Sequence, residues 1–292
     1  MKEIFFNPKK TLNVNGNLLS LQKPIIMGIL NATPDSFFAS SRIQNEEAIL
    51  QKAFSMIAEG AAILDVGGYS TRPNAQEVSE QEELQRVIWA VEILKSNFPQ
   101  IPLSIDTFRS SVASAAIAKG AVIINDISGG QMDEKIFEIA AVLPVPYILT
   151  HSRGTPQTMT QLTTYEDFIK EILDYFENRI SKLYQLGVKD IILDLGFGFA
   201  KTIDQNFELL GQLQLFKMFN LPLLVGVSRK SMVYKTLNCT SDESLNGTTV
   251  LHTIAILQGA SILRVHDVRA AQEAIILCEK LNLNNRFLNF TN

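Results

Sequence analysis

The sequence predicts an α/β protein, a single (β/α)8 barrel of the TIM type with a short N-terminal β-hairpin. Three observations predict it. Short runs rich in Ile, Val and Leu alternate with longer amphipathic segments along the whole chain. Eight such runs occur, and each is nearly continuous rather than alternating, as strands buried on both faces are. The chain has 292 residues, where about 250 is typical of one such barrel. No low-complexity segment or Pro/Gly linker divides it. The alternative is an open doubly wound sheet, which would more often carry a Gly-rich phosphate fingerprint after its first strand. GILNATPDSF (28–37) is not one.

Taken in order, residues 1–20 read as the hairpin extension, with NVNGN (13–17) as its turn, placed to plug the barrel bottom. The barrel domain runs over 21–283, and 284–292 form a C-terminal tail. IIMGIL (25–30) is the first barrel strand. EEAILQKAFSMIAEG (46–60) is a helix stopped at Gly60. AAILDVGG (61–68) is the second strand, and SEQEELQRVIWAVEILKSNF (79–98) a helix with Ser79 and Glu82 at capping-box spacing. PLSIDT (102–107), AVIINDI (121–127) and PYILTH (146–151) are the next three strands. YEDFIKEILDYFENRISKLYQLG (165–187) is a helix ending at Gly187. DIILDLGFG (190–198) and PLLVGVSR (222–229) follow as strands, then the mostly apolar helix SLNGTTVLHTIAILQG (244–259), ending at Gly259. SILRVHDV (261–268) is the eighth strand.

Composition excludes several classes. The 26 Lys and Arg nearly balance 30 Asp and Glu, a net charge of −4, so no basic nucleic-acid surface is expected. Cys239 and Cys278 lack disulfide-framework or metal spacing and read as ordinary helix residues. No apolar run approaches membrane-spanning length, and MKEIFFNPKK has no signal-type apolar core. A soluble cytoplasmic protein with no membrane partner is expected.

In a barrel of this kind the site forms where strands end. Every strand end here carries a polar or permissive residue: Asn31; Gly67 and Gly68 with Ser70, Thr71 and Arg72 beyond; Asp106; Asn125 and Asp126; His151 with Arg153; Asp194; Ser228, Arg229 and Lys230; and Arg264, His266 and Asp267. A lone Asp after a strand is often a helix N-cap, and Asp106, Asp126 and Asp267 each keep that alternative. Asp65, inside a strand, reads as structural, His252 as packed on an apolar helix face, and Ser79 as a cap. No Cys/His or Ser/His/Asp arrangement suits nucleophilic catalysis, and no His/Cys metal set is present. Asp106, Asn125 and Asp194 suit a flat nitrogen-rich heterocycle with a row of N–H donors. Arg264, His266 and Arg72 suit phosphate-like oxygens. Asn31 suits a Mg²⁺ held mainly by those oxygens and water.

Eight stretches carry a family resemblance: IMGILNATPDSF (26–37), GGYSTRP (67–73), SIDT (104–107), INDISGG (124–130), HSRGTP (151–156), LDLGFGFAK (193–201), GVSRKS (226–231) and RVHDV (264–268). In this order, over about residues 21–280, the chain resembles the dihydropteroate synthases of folate biosynthesis. The resemblance implies condensation of 7,8-dihydropterin-6-ylmethyl diphosphate with 4-aminobenzoate, giving 7,8-dihydropteroate and diphosphate with Mg²⁺. It implies that Asp106, Asn125, Asp194 and Lys230 bind the pterin. Asn31, Thr71, Arg264 and His266 would hold diphosphate, with Asn31 on the metal side. Phe37, Thr71, Pro73, Phe199 and Ser231 would frame 4-aminobenzoate. Asn31, Asp35, Asp106, Lys230, Arg264 and His266 would carry catalysis. NATPDSFFASSR (31–42) then reads as a lid that excludes water from a pterin cation. A homodimer is typical of the family, and TTVLHTIAILQG (248–259) and AAQEAIILCEKLNL (270–283) are apolar enough to supply its surface.

The chain departs from the family pattern at Tyr69 (usually Glu), Thr150 (Met), Leu195 (Pro) and Ala200 (Gly), and FASS (38–41) replaces a Gly-containing run. No implied ligand is lost, so the departures bear on affinity and sulfonamide response rather than on catalysis. Three rivals remain at this point. A pterin-dependent corrinoid methyltransferase would share the pterin acids but need no diphosphate clamp. An aldolase would use Lys230 as a Schiff-base amine. An inactive paralogue would have lost loop residues.

Overall fold

The computed structural model describes residues 9–32, 42–69 and 78–281. β1 (Thr11–Val14) and β2 (Asn17–Ser20) form the expected antiparallel hairpin. Its turn puts Asn15 and Gly16 at φ 53° and 84°, the left-handed pair that a two-residue hairpin loop requires. The Gly16 N–H donates to Asn13 Oδ1 at 2.8 Å and fixes the bend.

Eight parallel strands then close into a barrel. They are β3 (Ile25–Asn31), β4 (Ile63–Gly67), β5 (Leu103–Asp106), β6 (Ile123–Asp126), β7 (Tyr147–Thr150), β8 (Ile191–Asp194), β9 (Leu223–Val225) and β10 (Ile262–Val265). β10 pairs with both β9 and β3, which completes the ring. Around it stand α1 (Arg42–Ala58), α2 (Glu80–Asn97), α3 (Ser110–Ala118), α4 (Lys135–Val142), α5 (Phe168–Leu186), α6 (Ile203–Gly211), α7 (Ser231–Tyr234), α8 (Leu245–Gln258) and α9 (Val268–Lys280).

The strands read as unbroken apolar runs because both faces are covered. Leu64, Ile105, Ile124, Leu149, Leu193 and Leu263 pack outward against the helices. Met27, Ile63, Ile123, Ile148, Ile192, Leu224 and Ile262 turn inward and meet Leu12, Val14 and Leu21 of the hairpin segment. The hairpin therefore closes the bottom, as expected. Further along the same inward rows the residues become polar: Asp65, Ser104, Asp106, Asn125, Thr150, Asp194 and Arg264.

Helix ends follow local chemistry. Gly187 and Gly259 cap α5 and α8 at φ 95° and 101°, a region where a side chain is strained. Ser79 Oγ accepts the Glu82 N–H, but the Glu82 carboxylate turns to Arg86 instead of back to the cap. The reciprocal box forms at Thr202 and Gln205 on α6. Two expectations need correction. Cys239 lies in a bend after α7, where Asn238 takes φ 52° and the helix cannot continue; Cys278 is helical as expected. The run 222–229 yields a ladder of only three residues, because the chain turns at Arg229 (φ 53°) into α7.

Candidate active site

Register brings the mouth residues together. Asn31 on β3 pairs with Gly67 on β4, which pairs with Asp106 on β5, which pairs with Asn125 on β6. Gly67 matters by what it lacks. A Cβ there would lie 3.7 Å from Asn31 Oδ1 and 3.8 Å from Asp106 Oδ2. Asn31 and Asp106 thus share the space above one glycine.

Below them runs a charged network. Asp65 is fully buried and accepts from Asn125 Nδ2 at 3.0 Å and from Arg264 Nε at 2.6 Å. Arg264 Nη2 also donates to Asp106 Oδ2 at 2.5 Å. Burial pushes the Asp106 carboxyl up to about 7, against the pull of the Arg264 guanidinium. Burial works against the Arg264 charge too, but Asp65 and Asp106 outweigh it and hold its proton more tightly than usual. Asp65 Oδ1, Ser104 Oγ, Asn125 Oδ1 and Thr150 Oγ1 are buried without a hydrogen-bond partner among the described residues. Buried polar atoms are normally satisfied, so this layer is set up for a polar ligand.

Asp65 has the structural hydrogen-bonding role expected of it, and the side chains it orients are Asn125 and Arg264 of the mouth. Alternation inside the strand could have revealed that link, since Asp65 is two residues from Gly67 and shares its face. Arg264, expected beside phosphate oxygens, is bonded to Asp65 and Asp106.

On the opposite wall, Asp194 ends β8 and its Oδ1 accepts the Gly196 N–H at 2.8 Å. Burial raises its carboxyl, with Lys230 pulling the other way. Lys230 donates to the Phe197 carbonyl, and its Nζ sits 5.1 Å from the Phe199 ring centre. Enclosure brings the Lys230 amine down to about 8, offset in part by Asp194. Phe199 and Ser231 are half-buried at the rim, and Ser231 opens α7. His266 follows β10, half-buried, with its N–H on Ser228 Oγ at 3.2 Å.

Other strand-end residues are committed elsewhere. Asp126 is on the outer face, where it takes the Ser128 and Gly130 N–H groups and the Tyr147 hydroxyl. Arg229 clasps Asp267 through two bonds of 2.8 Å, and Asp267, at the N-cap of α9, makes no side-chain cap bond. His252 is buried on α8, as expected. Asp35, Phe37, Arg72, Thr71 and Pro73, and with them the lid reading of 31–42, lie outside the described residues.

The departures are now placed. Ala200 takes φ 49°, a conformation in which glycine is unstrained. Thr150 puts an unpartnered hydroxyl in the mouth. The Tyr69 hydroxyl accepts from Gln157 Nε2 at 3.1 Å, and its ring meets Phe108 edge-on. Leu195 is fully buried.

Comparison with known proteins bears on what such a mouth binds. The family described as pterin binding enzyme matches residues 27–266. Dihydropteroate synthase of Escherichia coli is 43% identical over 92% of this chain and 95% of its own length. The folic acid synthesis protein of Schizosaccharomyces pombe is 45% identical over 86% of this chain, which spans only 35% of that longer protein. A crystal structure of Yersinia pestis dihydropteroate synthase with a sulfonamide drug superposes with a TM-score of 0.87 at 41% identity, covering 93% of this chain and 99% of that one.

Proposed function

The chain belongs to the pterin binding enzymes, among the dihydropteroate synthases, and from that premise we propose how its own residues carry the reaction. It condenses 7,8-dihydropterin-6-ylmethyl diphosphate with 4-aminobenzoate to give 7,8-dihydropteroate and diphosphate. The observation that carries the residue assignments is the polar layer of Asp65, Asp106, Asn125 and Asp194 in an otherwise apolar barrel, crossed by Arg264.

Asp106, Asn125 and Asp194 take the pterin N–H edge, with Lys230 as the cationic donor beside them. The unpartnered Asn125 Oδ1 supports this assignment. Arg264, His266, Asn31 and Thr71 hold the diphosphate. The methylene–oxygen bond breaks, and its electron pair leaves with diphosphate. Arg264 and His266 stabilise that negative charge from fixed positions. The positive charge spreads into the pterin ring, where Asp106 and Asp194 stabilise it. The arylamine nitrogen, neutral near pH 7, attacks the methylene, the C–N bond forms, and one N–H proton passes to solvent. Phe199, Ser231, Phe37, Thr71 and Pro73 frame the benzoate, and Asp35 acts from the loop after β3.

Among the described residues no group of three or more His, Cys, Asp or Glu is arranged to hold a metal. A Mg²⁺ that keeps mostly water and substrate oxygens needs no such cage, and the exposed Asn31 at the end of β3 suits one place in its shell. When bound there it supplies charge neutralisation to the diphosphate.

The test is a diphosphate-release assay with the pterin diphosphate, run with and without 4-aminobenzoate, with the product identified by mass. Release coupled to dihydropteroate formation is expected. Pterin binding without release would point instead to a corrinoid methyltransferase or an inactive paralogue. The same reading includes a barrel domain over 21–283 between a hairpin extension and a tail, and a cytoplasmic location; no helix among the described residues is long and apolar enough to cross a membrane. It also includes a homodimer. Val250, Ile254 and Leu257 of α8 and Ile276 and Leu277 of α9 are exposed and support one. Sedimentation is expected to give twice the 32.5 kDa chain mass, and a monomer would end that part of the reading.

A further inference from the structure

The segment from Leu195 to Lys201 is unusual backbone. Gly196, Gly198 and Ala200 all take positive φ, at 67°, 81° and 49°. One backbone bond, from the Phe199 N–H to the Gly196 carbonyl at 3.0 Å, closes the turn, and side chains brace the rest. Asp194 takes the Gly196 N–H, Asn206 Oδ1 takes the Gly198 N–H at 2.6 Å, and the Tyr165 hydroxyl donates to the Ala200 carbonyl at 2.9 Å.

One brace comes from beneath. Lys201 is buried, with its Nζ 2.9 Å from the Gly196 carbonyl, 3.0 Å from the Phe199 carbonyl and 2.8 Å from His151 Nδ1. No carboxylate pairs with it among the described residues. Burial holds the Lys201 amine well below the usual range, against the pull of Asp194, and even a neutral amine keeps two N–H donors for the two carbonyls, with His151 Nδ1 as its third neighbour. His151 is itself buried, packed edge-on against Tyr175 at 4.8 Å, and burial holds its imidazole well below the usual range, in the neutral form. The three hydrogen-bonding neighbours of the Lys201 amine are thus two backbone carbonyls and an imidazole. The carbonyls it holds are those flanking the turn that presents Phe199.

We propose that Lys201, backed by His151, is the positioning residue of the arylamine subsite: it fixes the Gly196–Phe199 turn and so sets where the Phe199 ring stands. The inference rests on the reading of Phe199 as part of the 4-aminobenzoate site. The turn is held in two halves. Phe197 and Gly198 are tied by Lys230 and Asn206. Gly196 and Phe199 share one backbone bond, and Lys201 is the side chain that holds both of their carbonyls. Removing the Lys201 amine therefore loosens the Phe199 half and leaves the Lys230 half, on the pterin side, in place.

The experiment uses Lys201→Met, which keeps the stem and loses every donor, with Lys201→Gln, His151→Leu and the Lys201→Met/His151→Leu double variant beside the wild type. KM for 4-aminobenzoate is read by steady-state kinetics, pterin Kd by calorimetry, and folding by Tm. Lys201→Met is expected to raise KM for 4-aminobenzoate about tenfold while pterin Kd stays within twofold. Lys201→Gln, which keeps an amide donor, falls between and serves if the Met variant does not fold. The double variant is expected to be no worse than Lys201→Met alone, since the two act as one unit. Parallel loss of both affinities, or no change in either, overturns the proposal with the synthase reading intact. A wild type that turns over no substrate overturns both.

Discussion

Arg264 makes the strongest demand on single-residue chemistry. Its guanidinium is the only cation bonded to Asp65 and Asp106 among the described residues, and it is also the group assigned to the leaving diphosphate. Arg264→Ala is expected to lower kcat/KM at least a hundredfold, about 3 kcal/mol of lost stabilisation. Unchanged turnover with the diphosphate substrate would remove Arg264 from the mechanism. Asp106 sets the pH dependence. Burial pushes its carboxyl up to about 7, and the ionised form accepts pterin N–H groups with both oxygens, more strongly than the protonated form does. Pterin affinity is therefore expected to strengthen as pH rises from 6 to 8, then weaken above about 8 as Lys230 loses its proton. Asp106→Asn is expected to flatten the acidic limb, measured by pterin binding across that range. Position and residue type made Asp106, Asn125 and Asp194 legible as candidates in the sequence, since each stands at a strand end, whereas the role of Lys230, at the N-cap of α7, comes from the family resemblance. The sequence did not disclose that Asp65 and Arg264 would meet across the barrel. They are 199 residues apart, and only closure of the sheet brings them to 2.6 Å.

At the scale of elements, the packing of α2 onto the loop after β5 depends on one buried acid. Glu83 is fully buried, accepts from Thr107 Oγ1 at 2.5 Å and pairs with Arg109, whose guanidinium covers the Phe108 ring at 4.9 Å. Thr107 follows Asp106 directly, so this contact anchors the wall of the site. Glu83→Ala leaves Arg109 and Thr107 without their partner and is expected to destabilise by about 3–5 kcal/mol in urea unfolding. A loss under 1 kcal/mol would show that water replaces the pair. Nothing in the helix pattern marks Glu83 as buried; it reads there as one acid among Glu80, Glu82 and Glu83 in a first turn. The helices with plain start and stop chemistry, such as α5 between Asp167 and Gly187, are the ones that periodicity located well. The turn at Gly196–Ala200 reads as a strand continuation because apolar residues run on through it, and the strand 222–229 reads on to Arg229 because Val225 and Val227 continue the apolar run.

Over the whole molecule, chemistry and closure sit at opposite ends of one sheet. Leu12, fully buried, packs with Met27, Ile63 and Ile262 at the end away from Asp106. Leu12→Ala is expected to cost about 2–4 kcal/mol and lower Tm by several degrees, while KM for both substrates stays unchanged. A change in substrate KM would mean that the hairpin speaks to the mouth. The eight-unit rhythm made this architecture legible before any contact was known. What rhythm cannot carry is which strand face turns polar and at what depth, because that depends on the tilt and register of neighbouring strands.

A ring of strands without a free edge, stopped at its base by the hairpin, is a well with one opening. Its deepest acceptors, Asp106, Asn125 and Asp194, are almost wholly covered, whereas Phe199 and Ser231 stand half-open above them. Traffic through such a well obeys a stack: the molecule that sits lowest enters first and leaves last. With the pterin proposed at those deep acceptors and the arylamine at the rim, the pterin is expected to arrive ahead of its partner. The joined product is then expected to withdraw benzoate end first, drawing the pterin out behind it before the next one descends.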